Sequence, residues 1–155
     1  MKILNRQKIK TINQIYSNKT IEELKRIKPY WAVRANVGQL LDKNLHPSVG
    51  RYEIVIIKTK SLVKIVDFGE VDLDRFFTGN SLNDSRINRI LDDWNNKKHI
   101  DPPTVSISAA TNKITFEDGR HRTKVSYFLC FDEIPVAIDR EDLDKIKTAA
   151  NNIQK

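Results

Sequence analysis

The stretch that decides the fold of this chain is residues 116–123, which read Phe-Glu-Asp-Gly-Arg-His-Arg-Thr. Residues 114–116 alternate like a strand, whereas Val125 and Leu129 follow with the spacing of a helix. Gly119 allows a sharp turn between the two and a close approach of backbone or ligand. The sequence therefore predicts a strand, a turn at the glycine, and a helix.

The start of that helix carries an unusual charge. It presents unpaired N–H groups and the positive end of the helix dipole, and Arg120, His121 and Arg122 add side chains that can be cationic, with Lys124 just beyond. Each cation at an exposed helix start is disfavoured by about 0.3–1 kcal/mol. Such conflicts concentrate at functional sites, and a bound phosphate would reverse the penalty. We therefore predict an anion site at residues 118–124, with a plain turn whose aspartate neutralises an arginine as the alternative.

The flanking residues predict a small module with a mixed sheet and packed helices, of the α+β class. Four apolar residues fall at i, i+3, i+4 and i+7 and define the buried stripe of a helix at 84–96: Ile87, Ile90, Leu91 and Trp94. Ser81 or Asn83 is suited to cap this helix, and Trp94 is expected in the core. Strands are predicted at 71–76, 104–108, 114–116 and 134–138, with a turn at 111–113. Pro135 suits an edge or the start of the last strand.

The N-terminal part has weaker signals. The pattern Thr20-Ile21-Glu22-Glu23 is a capping box and predicts a short helix to about Ile27, and apolar spacing between Ile3 and Tyr16 predicts another. Strands are predicted at 51–58 and 62–66. We divide the chain into a basic, mainly helical extension (1–50), an αβ core (51–139) and a C-terminal helix (140–155).

The positive charge of the chain lies almost entirely in its first 30 residues. The whole chain carries +7; these residues contain eight basic and two acidic side chains, which gives +6. A segment of this kind attracts polyanions. We predict nucleic-acid contacts by five of its side chains: Lys8, Lys10, Lys25, Arg26 and Lys28. The alternative is a solvated surface.

Composition excludes several classes of protein. No stretch approaches the roughly 18 apolar residues of a membrane helix, and the N-terminus lacks a signal-peptide apolar run, so a cytoplasmic protein without membrane contact is expected. The single cysteine, Cys130, excludes an intramolecular disulfide and a multi-cysteine zinc site. We expect Cys130 to be a small buried hydrophobic residue rather than a nucleophile.

Residues 71–138, taken as an ordered set, resemble the ParB/sulfiredoxin-like superfamily, which includes nuclease-like relatives of the ParB N-terminal domain. The resemblance is carried by residues 71–76, the helix at 84–96, residues 100–105, the box at 116–123 and the Ile-Pro-Val strand at 134–136. Members of the family include partition proteins that bind cytidine triphosphate at this box, DNases, fertility-inhibition proteins, free-serine kinases and sulfiredoxin. The resemblance implies a nucleotide or phosphate held at the box.

Carried over to this chain, the resemblance implies phosphate contact by Gly119, Arg120, His121 and Arg122, with a hydroxyl from Thr123. The helix charge adds Lys124 to this set. One departure matters, because Arg120 stands where partition proteins carry a glutamate and sulfiredoxin a cysteine. Triphosphate hydrolysis is therefore in doubt, and sulfiredoxin chemistry is excluded.

Three functions remain open from the sequence. The first is a nucleotide- or phosphate-binding protein that acts in a DNA-related process, such as DNA binding, plasmid or phage maintenance, or its inhibition. The second is a small Mg²⁺-dependent nuclease, NTPase or phosphotransferase in which Asp118 or Glu117 is the base. The third is an interaction or inhibitor protein that has lost the ligand. We favour the first, with a nucleoside triphosphate and Mg²⁺ as candidate cofactors, nucleotide and DNA as partners, and no dedicated metal site.

Overall fold

The computed structural model describes residues 6–33, 45 and 50–154. The rest of the N-terminal extension, residues 1–5, 34–44 and 46–49, lies outside this description. Six helices and four strands occur in the described part. In chain order they are α1 (Arg6–Ser17), α2 (Ile21–Leu24), β1 (Tyr52–Lys58), α3 (Thr59–Ile65), α4 (Ser81–Asn95), β2 (Thr104–Ile107), β3 (Ile114–Asp118), α5 (Arg120–Phe128), β4 (Glu133–Asp139) and α6 (Leu143–Gln154).

The four strands form one mixed sheet in the order β1-β4-β2-β3. β4 pairs antiparallel with β1, with Val55 opposite Val136, and parallel with β2, with Thr104 opposite Ala137. β2 and β3 pair antiparallel. The chain is thus an α+β protein with a mixed sheet, as the sequence predicts.

Pro135 lies in an interior strand, so the prediction of an edge strand is wrong, although the proline is near the start of β4. The Ala137 N–H donates to the Pro103 carbonyl at 2.8 Å. Because N–H groups two residues apart point to the same side of a strand, the missing donor of Pro135 also faces the β2 side. The pairing between β2 and β4 covers only Ala137 and the residue after it, so Pro135 removes no hydrogen bond from that ladder.

Two large apolar clusters form most of the core, and a third, smaller one contains Leu45, Tyr52 and Ala137. One of the large clusters lies between the sheet and the helices α3 and α6 and includes Val105, Ile134 and Ile146. The other joins α1 and α2 to α4 and α5, so that the described helices of the N-terminal extension share a core with the module that carries the box. Trp94 is 1% exposed in this second cluster, and its ring N–H donates to the Tyr30 carbonyl at 3.0 Å. The prediction that Trp94 belongs to the core is confirmed.

The strand predicted at 62–66 is wrong, because α3 occupies Thr59–Ile65. Thr59 and Leu62 are buried while Lys60 and Lys64 are exposed, which is the three-to-four-residue spacing of a helix. A short apolar run does not distinguish a strand from a buried helical turn.

The strand predicted at 71–76 is also wrong, since these residues form turns and loops. Asp72 bends the chain by accepting a hydrogen bond from the Asp74 N–H at 2.7 Å. The following helix begins at Ser81, and its cap is Asn80 rather than Ser81 or Asn83: the Asn80 side chain accepts from the N–H groups of Leu82 and Asn83.

The capping box predicted at Thr20 is present. The Glu23 N–H donates to the Thr20 hydroxyl, and the Thr20 N–H donates to the Glu23 carboxylate, both at 3.2 Å. Helix α1 places Ile12 and Tyr16 in the core, in agreement with the helix predicted from their spacing.

Candidate functional site

The box has the geometry that its sequence predicts: β3 ends at Asp118, Gly119 turns the chain, and α5 begins at Arg120. Gly119 has φ +93°, a conformation that favours glycine. A Cβ at this position would lie 2.6 Å from the Pro103 Cα. Two constraints therefore require glycine here, the backbone conformation and the close approach of the loop before β2.

Arg122 holds that loop against the box. Its Nη1 donates to the carbonyl oxygens of Asp101 at 3.0 Å and Pro102 at 3.3 Å, and its Nη2 donates to the Asp118 carboxylate at 2.7 Å. The second carboxylate oxygen of Asp118 accepts from the Gly119 N–H at 2.9 Å. An arginine neutralised by Asp118 is the alternative that the sequence leaves open, and for Arg122 the structure shows this arrangement.

An open cleft of about 900 Å³ lies beside the box. Its walls are the box itself, the outer side of α4, the turn before β2 and the segment 71–83. We call the segment 71–83 the cleft wall. Basic and acidic side chains both line it. The acidic ones are Glu70, Asp72, Asp93, Asp101, Glu117 and Asp118, and the basic ones are Arg75, Arg86, Arg89, Arg120 and Arg122.

The arginines of the cleft differ in their partners. Arg75 and Arg122 are paired with carboxylates, at 3.3 Å and 2.7 Å. Within the described part of the chain, Arg86, Arg89 and Arg120 have neither a hydrogen bond nor an ion pair, and the remaining ion pairs belong to cations outside the cleft. These guanidinium groups are therefore available to an anion in the cleft.

The pKa of His121 reflects the charges near the start of α5. Its pKa is lowered from 6.5 to about 4, first because the ring is half-buried and then because Arg86, Lys124 and Arg120 are close. All the charged groups that shift this pKa are cations. His121, which the sequence analysis names as a side chain that can be cationic, is consequently neutral at pH 7 and lies in a positive potential.

Thr123 and Lys124 do not line the cleft. Both are buried. The Thr123 hydroxyl donates to the Gly119 carbonyl at 3.1 Å, and the Lys124 ammonium donates to the Asn83 side-chain oxygen at 3.0 Å. Their polar groups are engaged inside the protein, so direct contact with a ligand is disfavoured for these two members of the predicted site.

Glu117 borders the cleft, but its carboxylate is held on the outer face of the sheet. It accepts hydrogen bonds from the Tyr52 hydroxyl, from Arg51 at 3.1 Å and from the Ser106 hydroxyl at 3.2 Å. Burial, followed by the bond to Glu117, raises the pKa of Tyr52 to about 12. The carboxylates of Glu117 and Asp118 thus both accept hydrogen bonds from neighbouring groups, and the role of either as a base stays a prediction.

No group of three or more metal-binding side chains occurs in the described part of the chain. A site built from Glu117, Asp118 and His121 therefore has no support in the geometry.

The basic residues of the N-terminal extension that the structure describes do not line the cleft. Lys10, Lys25, Arg26 and Lys28 are exposed, and Lys25 is 3.2 Å from the Glu22 carboxylate. The side chain of Lys8 is outside the described part. Their role in nucleic-acid binding stays a prediction.

Cys130 is exposed, so the expectation of a buried cysteine is wrong. It follows the last turn of α5 with φ +61°, in the position where helices usually place a glycine. The left-handed turn directs the chain towards β4 and leaves this side chain at the surface.

Arg86 and Arg89 are two arginines of the cleft that the sequence analysis does not assign to the site. They occupy the outer side of α4, off the apolar stripe. Their three-residue spacing places them on one side of the helix, a signal that could have been used. Nothing in the sequence, however, showed that this side of the helix faces the box.

Comparisons with protein-family models, curated proteins and solved structures give no match for this chain. None of the helices in the described part has the length and apolar character required to span a bilayer. The function must therefore be argued from the cleft itself.

Proposed function

We propose that the cleft binds the phosphate groups of a nucleotide, and that the chain is a ParB/sulfiredoxin-like nucleotide-binding protein acting in a DNA-related process. The observation that carries the proposal is a pair of guanidinium groups, Arg86 and Arg120, that have no partner among the described residues and line the cleft near the neutral ring of His121. Guanidinium groups bind phosphate oxygens in a bidentate manner.

The start of α5 supports the same proposal. The N–H groups of residues 120–122 have no backbone acceptor among the described residues, as expected at a helix start. They lie at the cleft, next to Arg120 and His121. An anion there would meet backbone donors, the helix dipole and two arginines together.

The DNA-related part of the proposal rests on the exposed basic residues of the extension. Lys10, Arg26 and Lys28 are solvent-exposed, with no ion pair among the described residues. Binding through such residues neutralises nucleic-acid phosphates and weakens steeply with salt.

The test is a thermal-shift and calorimetric panel of CTP, ATP, GTP, their diphosphates, inorganic phosphate and a short DNA duplex, with and without Mg²⁺. A ligand at 100 times its Kd should stabilise the protein by about 2.7 kcal/mol, which for a chain of this size raises Tm by roughly 5–10 °C. Arg120→Ala should reduce this shift strongly. Arg122→Ala is a poorer probe, because it releases the loop at Asp101 and Pro102.

Lys113→Ala is the matched control, since this exposed residue lies in the turn between β2 and β3. It should leave the shift unchanged. A nucleotide shift retained in full by Arg120→Ala would place the ligand elsewhere. No shift with any nucleotide or phosphate would reject the proposal and favour an interaction or inhibitor protein.

A further inference from the structure

We propose that Lys124 is a positioning residue whose buried ammonium holds the cleft wall, residues 71–83, against helix α5 through Asn83. Its effect on ligand affinity rests on the proposed function, whereas its effect on the cleft wall does not.

Lys124 is an unusual lysine. It is 0% exposed, and its ammonium lies 6.0 Å from the centre of the Phe128 ring. Its one hydrogen bond is to the neutral Asn83 side chain at 3.0 Å, and it forms no ion pair among the described residues. Fully buried lysines are rare unless they are paired, because desolvation of an ammonium is costly. A cost of this kind requires a compensating structural role.

Asn83 connects the ammonium to the backbone of the cleft wall. Its side-chain amide donates to the Phe76 carbonyl at 3.2 Å and to the Asp84 carboxylate at 2.8 Å. That carboxylate in turn accepts from the N–H groups of Thr78 at 2.9 Å and Gly79 at 3.0 Å. The ammonium is thus the inner end of a continuous hydrogen-bond network that reaches the loop backbone at three points.

The cleft wall depends on such side-chain bonds because its loop, up to Asn80, contains no helix or strand. The charged groups around the ammonium belong largely to this region. Burial is the main cause that lowers the pKa of Lys124, Arg75 lowers it further, and the carboxylates of Asp72 and Asp84 oppose both. Asp72 and Arg75 also line the cleft, so the ammonium lies behind the surface that a ligand would meet.

The experiment compares Lys124→Met with the parent and with Lys113→Met by amide hydrogen exchange. Methionine fills a similar volume but cannot donate a hydrogen bond. In Lys124→Met the amides of Thr78, Gly79 and Asn83 should exchange about tenfold faster or more, the effect of losing a hydrogen bond from a charged donor. Amides of β4 should change much less, and Lys113→Met should match the parent throughout.

Equal acceleration in the cleft wall and in β4, or no acceleration in either, would overturn the proposal, because both patterns show that Lys124 does not act selectively on the wall. Lys124→Gln serves if the methionine variant does not fold. It also removes the charge and shortens the side chain, so it should give the same selective loosening.

Nucleotide titration of the same proteins separates this inference from the proposed function. Lys124→Met should weaken binding about tenfold, although Lys124 does not contact the cleft, because the wall is displaced. If the parent protein binds no nucleotide, the proposed function fails and hydrogen exchange still decides the role of Lys124. If Lys124→Met binds the nucleotide as the parent does, and its amide exchange changes equally in the cleft wall and in β4, the role of Lys124 fails and the proposed function stands.

Discussion

The pKa of His121 provides a sensitive test of the electrostatics of the cleft. We predict that, in the free protein, His121 titrates near pH 4 rather than near its ordinary value of 6.5. Burial of the ring is the first cause, and the neighbouring Arg86, Lys124 and Arg120 add to it. A bound phosphate would offset these cations and raise the pKa again.

The same shift predicts a loss of stability in acid. Between pH 6.5 and about 4 the unfolded chain takes up a proton on His121 while the folded protein does not, so lowering the pH favours unfolding. The full shift from 6.5 to about 4 corresponds to roughly 3.4 kcal/mol, from 2.5 units at 1.36 kcal/mol each. Because the ring is only half-buried, solvent screening reduces the expected effect to about 1–2 kcal/mol.

The assay is proton NMR of the histidine ring signals across the acid range, with urea unfolding at about pH 7 and about pH 4.5. The chain has three histidines, and His121→Gln assigns the signal. In this variant the difference in unfolding free energy between the two pH values should shrink by the same 1–2 kcal/mol.

A His121 signal that titrates near 6.5 in the free protein would refute this account, because the ring would then be hydrated and the three cations distant. Addition of a nucleotide that stabilises the protein in the thermal-shift panel should move the titration to higher pH. By linkage, protonation of His121 should strengthen nucleotide binding, so in acid the parent should bind the nucleotide more tightly than His121→Gln does. The variant is the control because the charge of the nucleotide changes with pH in the same way for both proteins.

The other predictions concern backbone conformation. Gly119→Ala should lower the free energy of unfolding by about 2–4 kcal/mol in urea titrations, because a left-handed alanine is strained and its Cβ would clash with Pro103. Gly79→Ala is the control, because Gly79 has φ +82° but open space around it. This variant should lose only about 1 kcal/mol of unfolding free energy. Equal losses in the two variants would show that the clash at Gly119 is relieved. Cys130→Gly should stabilise the protein by about 1 kcal/mol, since φ +61° suits glycine, and a lower Tm would contradict the assignment of this turn.

Sequence alone was sufficient for the box because its signals are local. A strand pattern, a glycine and helical spacing lie within a few residues of one another, and each restricts the backbone directly. The same holds for the capping box at Thr20. In contrast, residues 62–66 and 71–76 carry short apolar patterns whose meaning depends on what packs against them, and both were wrongly predicted as strands.

The roles of the charged residues were harder to predict, because partners are set by tertiary contacts. Arg122 is part of the predicted phosphate site, yet two of its acceptors are the backbone carbonyls of Asp101 and Pro102, about 20 residues away. The sequence does not assign Arg86 to the site, although the fold brings it near His121. A local sequence pattern does not show which distant carbonyl or ring will lie next to a guanidinium group.

The order of strands in the sheet has a consequence for how the protein is made. The edge strand β1 pairs with β4, so Tyr52 faces Asp139 across the ladder. Every element that forms the cleft lies in the chain between these two strands. Because β4 lies between β1 and β2, the sheet cannot be completed until β4 is available, and closure of so long a loop slows this step. On the ribosome, the four-stranded sheet beneath the cleft would therefore be completed only after residue 139 has left the exit tunnel.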